Sequence, residues 1–210
     1  MIRNDLLAIP DALRDEWRAT QNLRIENVFD ADFALSVLTA LREVPHALAD
    51  TNVPGLRYQF GVHENYADED CDHTLCMLTR YWYSVGMRWI SQLTEEPLVP
   101  PPGGTLVSTH FSKGCYLDPH NDKTPTRCIT FVLGFTPERW PAEQGGHLEF
   151  LDTREGAVQV VARRPPGFNT LDLFCVQADN MIHRVPLLTH HHERRVVVGW
   201  FHQPAEGGDG

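Results

Sequence analysis

The chain has 210 residues, 42% of them hydrophobic and 22% charged, and a formal net charge of −10. Its length suits one domain with a sizeable core, and its composition is ordinary for a soluble globular protein. The negative balance argues against a nucleic-acid backbone or an anionic membrane as the main partner, because both are met by basic surfaces. The start "MIRNDLLAIPDALRDEW" carries acids early and has no apolar core of signal-peptide length. No stretch approaches the length of a membrane span. Five cysteines, Cys71, Cys76, Cys115, Cys128 and Cys175, are odd in number and form no CxxC pattern. Reduced thiols and a cytoplasmic location are therefore expected, with a Cys71–Cys76 pair the disfavoured alternative.

In chain order, "PDALRDEWRATQ" reads as a short polar helix and "LRIENVF" as a strand. Asp30 is expected to cap a helix over "ADFALSVLTALREV", with Phe33, Leu35, Leu38 and Leu41 as its apolar stripe. "GLRYQFGVHENY" is a strand candidate. "HTLCMLTRYWYSVGMRWISQLT" reads as a long helix packed on a sheet, with Trp82, Tyr83, Met87 and Trp89 in its core face. The segment "EEPLVPPPGG", 95–104, ends this helix-rich layer of residues 1–100. Short β-branched and aromatic runs follow: "TLVSTHF", "CITFVLGF", "HLEFLD", "AVQVVA", "LDLFCV", "HRVPLL" and "RRVVVGWFH". Their spacing predicts a mostly β jelly-roll barrel, a double-stranded β-helix, over 105–202, with the helices packed outside it. The tail 204–210 is expected to be disordered.

Within the barrel, "YLDPHND" sets His120 and Asp122 two residues apart. On extended chain both would face one side, since Pro119 disfavours helix. The pair fits an ordinary hydrogen bond or part of a metal site. His183, in "DNMIHRVPLL", offers a third ligand from a distant strand. Two histidines and a carboxylate form the facial set used by non-haem Fe(II) oxygenases. "ERRVVVGWF" supplies Arg194 and Arg195 at a strand start. A buried arginine needs an anion, and a guanidinium can clamp a carboxylate. Alternation alone does not say which of the two faces inward.

Several segments together resemble the prolyl-4-hydroxylase-like branch of the Fe(II)/2-oxoglutarate dioxygenases. They are "FSKGCYLDPHND", "RCITFVLGFTPERWPAEQGGHLEFLD", "FNTLDLFCVQADNMIHRVPLL" and "RRVVVGWF". The resemblance implies His120, Asp122 and His183 as iron ligands. It implies Arg194 rather than Arg195 on the distal carboxylate of 2-oxoglutarate, because the family's arginine commonly stands six residues before this tryptophan. It further implies O2 as oxidant, ascorbate as a supporting reductant, and succinate and CO2 as products. The expected reaction is hydroxylation of an amino-acid-like, peptidyl or protein substrate, prolyl groups included. The carboxylate of Asp122 favours this over halogenation, for which relatives carry a small residue. Alternatives are a cupin-like metal enzyme that does not use 2-oxoglutarate, and a non-catalytic sensor.

The chain departs from the family where some members carry a 2-oxoglutarate-binding tyrosine, with Gly134 near that place and Phe111 where tyrosine is frequent. Thr130, Tyr116 and His110 are the candidates to supply the missing co-substrate contact. The run "THHHER" reads as a solvated loop, and Arg127, Arg163 and Arg164 as solvated charges.

Overall fold

The computed structural model describes residues 1–153, 158–178 and 181–204. The tail expected to be disordered lies almost wholly outside the described residues. In the first half, helices α1 (Asn4–Leu7), α2 (Asp11–Thr20), α3 (Ala31–Glu43), α4 (Thr74–Tyr81) and α5 (Met87–Thr94) alternate with strands β1 (Asn22–Glu26), β2 (Ala47–Val53) and β3 (Leu56–Asn65). The second half is strand-rich: β4 (Leu106–Phe111), β5 (Tyr116–His120), β6 (Arg127–Phe135), β7 (Leu148–Asp152), β8 (Gln159–Arg164), β9 (Phe168–Cys175), β10 (Ile182–Val185) and β11 (Arg194–His202). No helix among the described residues is long and apolar enough to cross a membrane.

Strand order is β1-β9-β6-β11-β4-β3-β5-β10-β7-β8, with β2 paired to β3. All pairs are antiparallel. The sheet curls on itself through β3, which pairs β5 at Tyr58–Gln59 and β4 at Gly61–Asn65. The result is the jelly roll expected from the strand spacing.

Period-two alternation sorts the two faces. Phe131, Leu133 and Phe135 of β6, Leu171 and Leu173 of β9, and Val197 and Phe201 of β11 pack with the helices in one cluster. Their neighbours in sequence, Val132, Phe174 and Val196, meet Leu148 and Phe150 of β7 across the interior. Burial of each such large side chain stabilises the fold by about 1.5–3 kcal/mol. Trp82, Tyr83 and Trp89 are buried as expected, and Met87 packs at the edge of the same cluster.

Four expectations are corrected. Leu35 is 52% exposed, and α3 instead buries Ala34, Val37, Leu38, Ala40 and Leu41. Asp30 precedes α3 without a side-chain cap, because its carboxylate is taken by the N-terminal ammonium at 2.5 Å. The long helix is interrupted by a π-helical turn at Trp82–Gly86. Cys71 and Cys76 are joined in a disulfide, leaving Cys115, Cys128 and Cys175 free.

The arginines expected to be solvated are engaged. Arg164 stands 3.1 Å and Arg24 3.3 Å from the buried carboxylate of Asp172. Arg163 and Arg184 grip buried Glu149 at 2.7 and 2.8 Å. Asp172 and Glu149 thus each have two guanidinium partners, which offsets their desolvation.

Gly145 and Gly146 both have φ of +72°. A Cβ on Gly145 would stand 1.9 Å from the Leu187 carbonyl oxygen. Gly145→Ala is expected to cost about 2–4 kcal/mol, from left-handed strain plus the clash. Denaturant unfolding of the variant checks this, and an unchanged midpoint would contradict the turn described.

Candidate functional site

β5 and β10 are neighbours, and their register sets His183 opposite His120. The two rings lie 4.2 Å apart between centroids. Asp122 follows β5 and completes the group. Its Oδ1 is 3.6 Å from His120 Nε2, and its Oδ2 is 3.6 Å from His183 Nε2. Ligand atoms of the three residues all lie within 4.8 Å of one another. No other such group of His, Cys, Asp and Glu occurs among the described residues.

Both imidazoles are oriented from behind. Nδ1 of His120 bonds to the Asp118 carbonyl at 3.0 Å, and Nδ1 of His183 to the Met181 carbonyl at 2.9 Å. A carbonyl only accepts, so each Nδ1 carries the proton and each Nε2 turns a lone pair toward Asp122. Burial, with His120 close by, pushes His183 down to about 4 and keeps its imidazole neutral. At Asp122, burial opposes the charge, and the Thr130 hydroxyl, which donates to Oδ2, favours the ionised carboxylate. Two imidazole lone pairs and one carboxylate converging on a point suit a divalent metal such as Fe(II).

Thr130 also lies here. Its hydroxyl donates to Asp122 Oδ2 at 2.8 Å. The guanidinium of Arg127 stacks 3.8 Å over the Trp200 ring and donates to the Asp122 carbonyl at 3.4 Å. Trp200 went unrecognised in the sequence as part of the site, although it shares the Arg194 face of its strand.

The triad opens into a cavity of about 300 Å³. Arg194 lines the same cavity and is 5% exposed. Its guanidinium carbon stands 4.9 Å over the Phe111 ring. Among the described residues it has no hydrogen-bonding or ion-pair partner. Burial pushes it down to about 10 although Asp172 acts the other way. A buried, unpaired guanidinium is costly and suits an incoming carboxylate. Arg195 points to the opposite face, where it meets Glu193 at 2.6 Å and the Leu41 carbonyl at 3.1 Å.

Other candidates fall elsewhere. Tyr116 is not among the cavity-lining residues, whereas Leu117 and His120 both are. The β5–β10 register shifts between these two pairings, so strict alternation from His120 misplaces Tyr116. His110 sits outside the cavity with its ring 5.5 Å from His46 and its Nε2 3.4 Å from Glu193. At Gly134 a Cβ would stand 2.3 Å from Thr170 Oγ1, so no side chain can reach the cavity from there. His190 and His191 are exposed, as a solvated loop requires, while the His192 ring lies 5.8 Å from Trp140, tilted by 45°.

The sequence model of the 2OG-Fe(II) oxygenase superfamily matches residues 106–202. A prolyl-4-hydroxylase from Pseudomonas putida is similar in structure, at 16% identity and a TM-score of 0.65, over 92% of this chain and 98% of that one. So is a prolyl hydroxylase from Trichoplax adhaerens in complex with a hypoxia inducible factor peptide fragment, at 16% identity and a TM-score of 0.69, over 95% and 91%. HygX from Streptomyces hygroscopicus, with nickel and 2-oxoglutarate bound, is similar at 10% identity and a TM-score of 0.65, over 94% and 88%. At such identities the likeness to these structures is one of fold. The family match, however, runs from β4 through β11, so the part of the chain that holds the triad and the buried arginine is similar in sequence as well as fold to the 2OG-Fe(II) oxygenase superfamily, whose members are 2-oxoglutarate-dependent, non-haem Fe(II) dioxygenases.

Proposed function

We propose that His120, Asp122 and His183 hold the Fe(II), that Arg194 takes the distal carboxylate of 2-oxoglutarate, and that the enzyme hydroxylates a C–H bond of a peptidyl, protein or amino-acid-like substrate, prolyl groups included. The carrying observation is the unpaired Arg194 guanidinium in the same cavity as the triad. Without an anionic co-substrate that charge would stay buried and uncompensated. When bound, the metal and 2-oxoglutarate supply the oxidising chemistry, with O2 as oxidant and succinate and CO2 as by-products.

The protein's own contribution is placement. The Asp118 and Met181 carbonyls fix the tautomer of each histidine. Thr130 lines the cavity, as a co-substrate contact requires, and also holds one carboxylate oxygen of Asp122. Phe111 offers a flat apolar face to the Arg194 guanidinium. The apolar lining excludes water and strengthens the carboxylate–guanidinium pairing. The helices of the first half support the sheet from outside, and the β2–β3 hairpin lines one side of the cavity.

Purified protein supplied with Fe(II), ascorbate, 2-oxoglutarate and air is expected to form succinate in an iron-dependent manner. Asp122→Ala should abolish it, and unchanged turnover would remove Asp122 from the metal. Arg194→Ala should weaken 2-oxoglutarate by about 30-fold or more, as expected when one partner of a buried charge pair is truncated. Calorimetric titration checks this, and an unaltered affinity would exclude Arg194 as the clamp. Thr130→Val should lower metal affinity by about 10–100-fold, with Thr130→Ser restoring it. Competition against a metal-binding dye separates these outcomes, and equal affinity in all three proteins would contradict the positioning role.

A further inference from the structure

We infer that Arg164 and Arg24 keep Arg194 available to the co-substrate: by occupying Asp172 they stop that carboxylate from capturing the Arg194 guanidinium. This rests on the proposed role of Arg194 as the 2-oxoglutarate clamp. Neither Arg164 nor Arg24 lines the metal cavity, so both are positioning residues that act through Asp172.

Residues opposite one another in an antiparallel pair share a face of the sheet. Asp172 stands opposite Val132, and Val132 opposite Val198. Arg194 lies four residues before Val198 on the same strand, so Asp172 and Arg194 both point to the interior. Both border one small void of about 10 Å³, together with Arg164 and Thr170. A space of that size holds about one water. A buried carboxylate and a buried, unpaired guanidinium so placed would ordinarily pair. Burial pushes the Asp172 carboxyl above its usual range although Arg24 and Arg164 both oppose it, so its charge is not over-compensated.

Prior engagement prevents the pairing. Arg164 stands 3.1 Å from Asp172 Oδ1, and Arg24 3.3 Å from Oδ2. Each guanidinium is also anchored on its far side. Arg164 donates to the Leu23 carbonyl at 2.8 Å and the Asn22 carbonyl at 3.4 Å, both on the edge strand β1. Arg24 donates to the Pro165 carbonyl at 3.0 Å and to Glu26 at 2.6 Å. At Gly167 a Cβ would stand 2.4 Å from Arg24 Nη2, so glycine leaves room for the guanidinium. Both oxygens of Asp172 are thus held by tethered cations. Three guanidiniums share one carboxylate, and the third is left for the carboxylate of 2-oxoglutarate.

The test is calorimetric titration of 2-oxoglutarate into protein loaded with Ni(II), a redox-inert substitute. Arg164→Met frees one oxygen of Asp172. Arg194 is then competent in only a minor fraction of molecules, and 2-oxoglutarate should bind about ten-fold more weakly. Metal affinity, read by dye competition, should stay within about two-fold. Adding Asp172→Asn to Arg164→Met removes the captor and should restore 2-oxoglutarate affinity to within about three-fold of the wild type. Arg24 keeps Glu26 as its partner in that double variant. The pattern should persist at about 1 M salt, where the Debye length is about 3 Å and long-range attraction is screened out. Should Arg164→Met not fold, Arg24→Met carries the same test, with the same weakening and rescue expected. Unchanged affinity in either folded single variant, or a weakening that Asp172→Asn does not reverse, would overturn the inference. Wild-type protein that does not bind 2-oxoglutarate, or binds it equally after Arg194→Ala, would instead sink the assignment of Arg194.

Discussion

The site depends on one strand pairing. β10 lies against β5 in the register that sets His183 opposite His120. A slip by one residue would turn His183 to the other face and break the triad. The register is held on its far side by β7, through Ile182↔Leu151, His183↔Phe150 and Arg184↔Glu149. Glu149 pins the same place chemically, since Arg184 bonds its carboxylate at 2.8 Å. Phe174 meets the His183 ring edge-on at 4.9 Å, so the imidazole is packed as well as hydrogen-bonded. Its position is thus over-determined before any ligand arrives, as a precise metal site requires.

The buried charges divide into two kinds. Asp172 and Glu149 each have two arginines, and these groups rivet strands together. Arg194 lies close enough to feel Asp172, yet Asp172 is already bonded to Arg164. The fold therefore settles its structural carboxylates and leaves one guanidinium over. That division sets the paired carboxylates, which tie strands together, apart from Arg194, which has no such partner among the described residues.

Much of this was legible in the sequence. Alternation along "RRVVVGWFH" gave two faces, and the helix-packed Val197 and Phe201 decide between them, which puts Arg194 inside. The alternating Leu56, Tyr58, Phe60 and Val62 stood in a stretch read only as a strand, so this part of the cavity lining was visible but unassigned. Other features were not local. The register shift that excludes Tyr116 arises between two strands far apart in sequence. Arg163 and Arg164 looked solvated because their carboxylates lie on other strands. The Cys71–Cys76 link depends on the loop that leads into α4, and the odd cysteine count weighed against a pair that the sequence offered only as an alternative. The family resemblance named the triad correctly as neighbours, and the backbone carbonyls that orient it carry no side-chain signature at all.

The most direct test is a crystal structure of the protein grown with Ni(II) and 2-oxoglutarate, with the anomalous signal used to locate the metal. The account predicts one strong peak between His120 Nε2, His183 Nε2 and the Asp122 carboxylate, with a carboxylate of 2-oxoglutarate on the Arg194 guanidinium. A peak at the outer histidines His46 and His110 with the triad empty, or 2-oxoglutarate bound away from Arg194, would contradict it.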